Sequence, residues 1–119
     1  MYECKEKDWK LFRKRLPVWQ SNYMEKLFVK YEKIFDSDLD AGERFWTVFE
    51  RMKKDSRKVS VSCEMARSKM LINILTLLRE KCITFDDLEG FSDELIENLE
   101  ILYNLWFKNK NTTYCDVTY

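Results

Sequence analysis

The chain is organised around residues 9–35, which read WKLFRKRLPVWQSNYMEKLFVKYEKIF. Apolar residues recur there at steps of three, four and seven, which is the spacing of one stripe on an α-helix. The stripe comprises Trp9, Phe12, Leu16, Trp19, Tyr23, Leu27 and Ile34, widened by Met24, Phe28, Tyr31 and Phe35. We therefore predict a long helix over residues 6–35. Because Pro17 lacks an N–H and clashes with the carbonyl four residues earlier, we expect it to kink or split this helix near Arg15.

A second helix is predicted over residues 41–54, after a polar turn at residues 36–40. Asp40 and Glu43 have the spacing of a capping box, with aspartate in the usual serine or threonine position. One face of this helix carries Phe45, Val48, Phe49 and Met52, with Trp46 on its flank. We expect this face to pack against the other helices.

A third helix is predicted over residues 62–81, with Ser60 or Ser62 as its N-cap. Residues 70–78 are apolar nearly all round, which is typical of a helix surrounded by others.

The last predicted helix covers residues 93–108 and follows a short turn. Thr84 is expected to cap that turn, Gly90 to end it and Ser92 to cap the helix. The helix stripe comprises Leu95, Leu99, Leu102 and Trp106, with Ile96 and Tyr103 beside it. The remaining residues, 109–119, have no periodicity and are predicted to form an irregular tail.

These elements predict an all-α, single-domain bundle of four main helices with short loops, formed by residues 1–108 and followed by the tail. The chain has 119 residues with only two glycines and one proline, which disfavours β-sandwiches, barrels and glycine loops that hold phosphates. It also has no histidine, which excludes catalytic triads that use a histidine base and metal sites with histidine ligands.

Little else in the sequence indicates catalysis or a cofactor, and we predict no enzyme activity, no metal and no cofactor. The four cysteines lie at positions 4, 63, 82 and 115, too far apart for a CxxC motif, and are interpreted as reduced thiols. Cys63 is expected to have a slightly lowered pKa at the start of the third helix. Residues 36–42 begin like a calcium loop, but the twelfth position is Thr47 rather than glutamate, so a capped turn is favoured. For the cysteines, the alternative interpretation is a disulfide or a metal site built from residues of separate helices.

Charge is distributed unevenly along this neutral chain. Residues 84–100 contain seven acids and no base: Asp86, Asp87, Glu89, Asp93, Glu94, Glu97 and Glu100. Most of these acids suit the first turns of helices, and the remaining hypothesis is a surface that binds a basic partner. Basic residues cluster at Lys10, Arg13 and Lys14, and again at Arg51, Lys53, Lys54, Arg57 and Lys58. These are the candidate contacts for nucleic acid, which we regard as the less favoured partner.

The 18 aromatic residues exceed what a four-helix bundle of this length needs. Most lie on helix stripes, where a core role is expected. The least committed to a stripe are Trp46, Phe91, Tyr103 and Phe107. Aromatic residues left exposed would indicate a protein interface or a homodimer surface.

Several short motifs resemble those of a group of small uncharacterised proteins of gut bacteria. They are Trp9-Lys-Leu-Phe-Arg13, Leu16-Pro-x-Trp19-Gln20, Tyr23-Met24, Phe45-Trp46, Arg67-Ser-Lys-Met70, Ile83-Thr-Phe-Asp-Asp-Leu-Glu89 and Phe91-Ser-Asp-Glu-Leu95. The resemblance covers about residues 8–100. Some of these proteins carry the label "multidrug transporter", which is inconsistent with the absence of membrane-spanning stretches here. The resemblance implies an all-helical fold and no particular activity.

The sequence therefore predicts a cytoplasmic, non-enzymatic protein that binds another protein. The N-terminus has no signal peptide, and the longest apolar stretch, residues 70–78, is about half of the roughly 20 residues needed to span a bilayer. The narrower hypothesis is an inhibitor of a bacterial defence nuclease, of the anti-CRISPR type, carried by a mobile element. The alternatives are a nucleic-acid-binding regulator, and a small enzyme or metal protein with convergent carboxylates or thiols.

Overall fold

A computed structural model describes residues 2–108 and has an all-α fold with four main helices. They are α1 (Glu6–Phe35), α2 (Ala41–Asp55), α3 (Met70–Arg79) and α4 (Asp93–Tyr103). Short 3-10 helices lie at Arg67–Lys69 and Phe85–Leu88, and a π-helical turn at Asn104–Lys108 follows α4. The predicted irregular tail, residues 109–119, lies outside the described residues, as does Cys115.

The predicted bounds of α1 are confirmed. Of the two effects expected of Pro17, a kink or a split, the split is wrong, because α1 continues through this residue. Packing on both sides of the proline explains why the helix survives the lost hydrogen bond. Leu16 before the proline and Trp19 after it are buried in one cluster, and Leu27 and Tyr31 are buried in a separate cluster further along. Tertiary contacts therefore hold both halves of α1 in helical conformation.

The main core forms around the first half of α1. Phe12, Leu16 and Trp19 pack with α3, α4 and the segment between them. The other core residues are Tyr2, Trp9, Met70, Ile74, Leu75, Leu77, Leu78, Ile83, Leu88, Phe91, Leu95 and Leu99. We call this unit, residues 2–20 and 56–108, the body. The second half of α1 and α2, residues 21–55, form a helical hairpin that we call the arm. The molecule is elongated, measuring 52 × 33 × 22 Å.

The predicted start of the third helix is wrong, because α3 begins at Met70 and residues 56–66 form a loop. Ser60 is not a helix cap. Its N–H and hydroxyl instead donate to the Glu80 carboxylate at 2.9 and 2.6 Å, and the Val59 N–H donates to the same side chain at 3.3 Å. Glu80 therefore holds the loop against the end of α3. The Ser60 hydroxyl donates to Glu80 instead of capping a helix.

The predicted helix at 93–108 is confirmed up to Tyr103, where the π-helical turn replaces regular α-helix. Leu95 and Leu99 are fully buried as expected, but Trp106 is 39% exposed. A π turn places more residues in each turn than an α-helix, so it shifts the register of the side chains that follow. Phe107 packs against Tyr103 instead, with their ring centroids 5.2 Å apart. Phe91, one of the four aromatic residues least committed to a stripe, lies in the core, where it is 5% exposed and packs 6.3 Å from Trp19.

A buried carboxylate joins the N-terminus, α1 and α4. Asp8 is fully buried and accepts hydrogen bonds from the Tyr2 hydroxyl (2.7 Å), the Ser92 N–H (2.9 Å) and the Ser92 hydroxyl (2.6 Å). Ser92 also caps α4 as predicted, by accepting from the Leu95 N–H at 3.2 Å. Burial alone would raise the pKa of Asp8, but the hydrogen bonds from Ser92 and Tyr2 outweigh it and hold the pKa below its usual value.

The turn between α3 and α4 closes against α1 through Arg15 and Gly90. The Arg15 guanidinium donates to the Asp87 carbonyl at 3.0 Å and lies 5.5 Å from the centre of the Phe91 ring. Gly90 has φ +100°, a left-handed conformation that favours glycine, and an added Cβ would lie 3.0 Å from Arg15 Nη2 and 3.3 Å from Leu11 Cδ2. The predicted cap at Thr84 is present, since the Asp87 carboxylate accepts the Thr84 N–H at 2.8 Å.

We expect Asp8→Asn to lower the free energy of unfolding by about 2–4 kcal/mol near neutral pH, because it removes charge-assisted acceptors from three buried donors. The pKa of Asp8 is lower in the folded state than in the unfolded chain, so its stabilisation is complete above the unfolded value and is lost as the pH falls through the folded one. Urea unfolding at about pH 7 and about pH 3 should therefore show a smaller acid destabilisation in the variant. The exposed Asp86→Asn variant is the control, and equal effects of the two substitutions would contradict the role of Asp8.

The two glycines should respond oppositely to alanine. Gly90→Ala should lower the free energy of unfolding by about 1–3 kcal/mol, because alanine is strained at this φ and its Cβ is crowded. Gly42→Ala should raise it by a few tenths to about 1 kcal/mol, because alanine favours helix and the nearest atom to its Cβ, Asp40 Oδ1, is 3.5 Å away. Thermal and urea denaturation measure both changes. A Gly90→Ala variant that is more stable than the wild type would contradict the left-handed, crowded conformation of Gly90 in this turn.

Candidate functional site

The two helices of the arm pack against each other through a small hydrophobic cluster. Leu27, Tyr31 and Val48 are its buried residues, and Tyr23, Ile34 and Val61 pack partly buried around them. At its tip, Asp40 caps α2 by accepting the Glu43 N–H at 2.8 Å, and Arg44 donates to the Phe35 carbonyl at 2.8 Å. This confirms the prediction of a capped turn between the helices.

A buried polar contact fastens the base of the arm. The Tyr31 hydroxyl donates to the Asp55 carboxylate at 2.6 Å, and Lys58 Nζ lies 3.4 Å from the same carboxylate and 3.2 Å from the Tyr23 hydroxyl. Burial and the Asp55 carboxylate raise the pKa of Tyr31, so its hydroxyl keeps its proton and remains a donor. Burial opposes the charge on Lys58, but Tyr23 and Asp55 outweigh it and raise the pKa of this lysine.

One side of α2 carries an exposed row of large apolar residues. Phe45, Phe49 and Met52 follow steps of four and three along this side, and their exposed fractions are 60%, 45% and 45%. Trp46 lies on the flank of the row and is 59% exposed. Its ring packs edge-on against Phe45 at 5.0 Å and Phe49 at 5.6 Å between centroids. The row is therefore a continuous aromatic surface rather than a set of isolated side chains.

The expectation that this face packs against the other helices is wrong except for Val48, which is 5% exposed. The physical reason is the position of α2, which packs on the second half of α1, away from the core formed by α3 and α4. Val48 faces α1, whereas Phe45, Phe49 and Met52 are displaced to one side of that contact. Hydrophobic spacing identified the apolar face correctly but could not identify what covers it.

Two further aromatic residues extend the row onto α1. Phe28 and Phe35 are each 48% exposed. At about 100° per residue, both lie about 90° around α1 from the residues that face α2, and Phe45, Phe49 and Met52 are rotated from Val48 in the same sense by about 60°, 100° and 40°. Because the two helices run antiparallel, rotations of the same sense bring both sets to the same side of the hairpin. We call this surface, formed by Phe28, Phe35, Phe45, Trp46, Phe49 and Met52, the arm face.

The seven predicted partner-binding acids are all exposed, and they lie on the body. Asp93, Glu97 and Glu100 share one side of α4, opposite its buried leucines, while Asp86, Asp87 and Glu89 lie in the preceding turn. Two of the seven are engaged locally: Asp87 caps its turn, and Glu94 forms an ion pair with Lys5 at 3.1 Å. The other five have exposed carboxylates that a basic partner could reach.

The two basic clusters lie apart. Lys10, Arg13 and Lys14 are exposed on the body half of α1, whereas Lys58 contacts Tyr23, nine residues beyond Lys14 on the same helix, a rise of about 13 Å. Arg51, Lys53, Lys54 and Arg57 are exposed, but Lys58 is half-buried and held by Asp55. The fold therefore does not merge the predicted nucleic-acid contacts into one compact basic patch.

The three thiols within residues 2–108, those of Cys4, Cys63 and Cys82, do not have the lowered pKa of a nucleophile. Burial raises the pKa of Cys4, Cys63 and Cys82, all of which are partly buried. The predicted lowering at Cys63 is wrong, because α3 begins seven residues later and nearby Glu64 and Glu80 add to the effect of burial. Across residues 2–108, no group of three or more cysteine, aspartate or glutamate side chains is arranged to hold a metal ion.

Within the same part of the chain, no helix combines the length and the apolar character needed to cross a membrane. The chain matches no known family model, no curated protein and no solved structure. The resemblance to proteins of gut bacteria therefore stays a prediction.

Sequence reasoning missed two of the most connected side chains, Asp8 and Glu80. The serines that bind them, Ser92 and Ser60, are 84 and 20 residues away, and neither acid forms part of a motif. A signal was present for Asp8, which is an acid one position before the apolar stripe of α1. That position is equally typical of the first turn of a solvent-facing helix, so the signal did not distinguish the two roles.

Proposed function

We propose that the chain is a non-enzymatic protein-binding module that acts by covering a surface of its partner. The arm face is the observation that supports this proposal most strongly. Soluble monomers rarely expose a contiguous apolar patch of this kind, and such patches are typical of protein interfaces. Aromatic residues also contribute a large share of the binding energy in known interfaces.

The construction of the arm adds to this argument. Its aromatic residues project from two packed helices that are capped at the tip and fastened at the base by Tyr31 and Asp55. A partner would therefore bind a surface that is already ordered, and little conformational entropy would be lost on association. Trp46, Phe45 and Phe49 hold one another edge-on, which limits their rotamers before binding.

The seven exposed acids on the body, from Asp86 to Glu100, form what we call the acidic surface. This surface supports a narrower form of the proposal. Five exposed carboxylates that form no ion pair within residues 2–108 suit a partner with a cationic groove, such as the nucleic-acid channel of a nuclease. In this form the protein inhibits a bacterial defence nuclease by occupying that channel. The arm face and the acidic surface lie on different parts of the molecule, so apolar burial at the first and long-range attraction at the second are independent of each other.

Affinity capture from a lysate of the native host tests the proposal. The immobilised full chain should retain a specific protein, and Phe45→Ser combined with Phe49→Ser should abolish its capture because the centre of the arm face becomes polar. Ile101→Ser is the matched control, since Ile101 is 64% exposed but lies on α4, away from the arm. Capture of the same proteins by all three chains would contradict the proposal.

The acidic surface requires a separate variant. Reversing the charges of Asp93, Glu94 and Glu97 to lysine should weaken capture of a cationic partner strongly at low salt and less at high salt. A captured partner that is insensitive to this change would rule out the nuclease-channel form while leaving the role of the arm face intact.

A further inference from the structure

We infer that the occupant of the arm face is a second copy of this chain, bound through an antiparallel, two-fold pairing of the two α2 helices. This inference rests on the proposed function, in which the arm face binds protein. Three features of the arm support it: the area it offers, the distribution of charge along α2 and the position of the apolar row between the charged ends.

The area of the arm face is close to what one side of a dimer interface requires. A large aromatic side chain buries about 150–250 Å², so six residues that are each roughly half-exposed offer on the order of 600 Å² of apolar surface. Homodimer interfaces are about 65% apolar and bury about 800 Å² or more on each partner. The arm face with a polar rim therefore reaches the size of a stable interface without any rearrangement.

The two ends of α2 carry opposite charges. Asp36, Asp38 and Asp40 lie at the tip of the hairpin, and Lys53, Lys54 and Arg57 lie at the opposite end of the helix. These six residues are exposed, and no ion pair within residues 2–108 involves any of them. The dipole of α2 has the reverse polarity, positive at its N-terminus, so each charged cluster also complements the end of the helix on which it lies.

The geometry of these charges is self-complementary. The midpoint of α2 is residue 48, and the apolar row from Phe45 to Met52 is centred between residues 48 and 49. Asp40 and Arg57 lie equally far along the sequence on either side of that centre, and Lys53 and Lys54 lie nearer to it. A two-fold axis through this midpoint superposes the apolar row of one copy on that of the other. Along the helix, the same axis brings Asp40 of each copy level with Arg57 of its partner and Glu43 level with Lys54, at both ends of the contact. Lys53 falls level with Arg44. An isologous interface requires this kind of symmetry, whereas binding to an unrelated protein does not.

The spacing of the row suits helix–helix packing. Gly42, Phe45, Phe49 and Met52 follow steps of three, four and three, the repeat of a seam between paired helices. Gly42 has no side chain, and the nearest atom to its Cβ position is Asp40 Oδ1 at 3.5 Å, so a partner helix can approach closely near the tip. With Phe28 and Phe35 beside the row, the two arms would form an intermolecular four-helix bundle.

Sedimentation equilibrium or light scattering of the purified full chain tests this inference. The wild-type chain should have twice its monomer mass of 14.6 kDa at high micromolar concentrations. Phe45→Ser with Phe49→Ser should raise the dissociation constant by roughly 100-fold or more, as expected for the loss of two central aromatic residues. The Ile101→Ser control should remain dimeric, and circular dichroism should show that all three chains keep the same helix content.

Charge reversal tests the antiparallel orientation. Lys53→Glu with Lys54→Glu makes both ends of α2 acidic, and Asp36→Lys with Asp38→Lys makes both ends basic, so each double variant should dissociate. The quadruple variant, which exchanges the two signs, should recover the dimer, because an antiparallel pair again matches opposite charges at both ends. Failure of the quadruple variant to recover would overturn the antiparallel arrangement.

A wild-type chain that stays monomeric, or a dimer that is unaffected by the Phe45 and Phe49 substitutions, would overturn the inference. The proposed function fails separately. If the chain is monomeric but capture of another protein still requires Phe45 and Phe49, only the identity of the occupant is wrong. If neither self-association nor capture depends on these residues, the protein-binding role of the arm face is wrong as well.

Discussion

The architecture depends on α1 remaining a single helix of 30 residues. Such a helix is about 45 Å long, which is most of the 52 Å length of the molecule. The body encloses only its first half, where Phe12, Leu16 and Trp19 enter the main core. The second half projects and retains an apolar stripe, which α2 covers on one side only. The uncovered side of this hairpin is a direct consequence of the length of α1, and it is the basis of the proposed function.

Local signals in the sequence predicted much of the fold. The bounds of α1 and α2 and the caps at Asp40, Thr84 and Ser92 depend on residues within a few positions of one another, and the structure confirms them. The predicted start of α3 was wrong because Glu80 holds Ser60, 20 residues earlier in the chain, in a loop. The predicted place of Trp106 on the apolar stripe of the last helix was wrong, because a change from α to π geometry rotates the last turn. In both places the deciding feature, a distant contact or a change of helix register, cannot be inferred from the spacing of apolar residues.

The candidate site was predicted less well than the fold, for a related reason. An apolar stripe indicates that a helix face avoids water, but it is the same whether the covering surface belongs to the same chain or to another molecule. Phe45 and Phe49 were therefore interpreted as core, although they now define the arm face. Trp46 was correctly identified as uncommitted because it lies off the stripe, and it is 59% exposed. The acids of α4 are exposed as expected, but sequence alone does not connect them to a partner.

The most direct test of the role of the arm face is nuclear magnetic resonance of a sample that mixes isotope-labelled and unlabelled copies of the full chain. We predict nuclear Overhauser effects between copies that join the Phe45 and Phe49 rings of one copy to the Met52 methyl of the other, with none between copies from the body pair Trp19 and Phe91. The contradicting result is the absence of such effects between copies, together with strong broadening of the Met52 methyl signal by a soluble paramagnetic agent, which would show that the arm face is open to solvent.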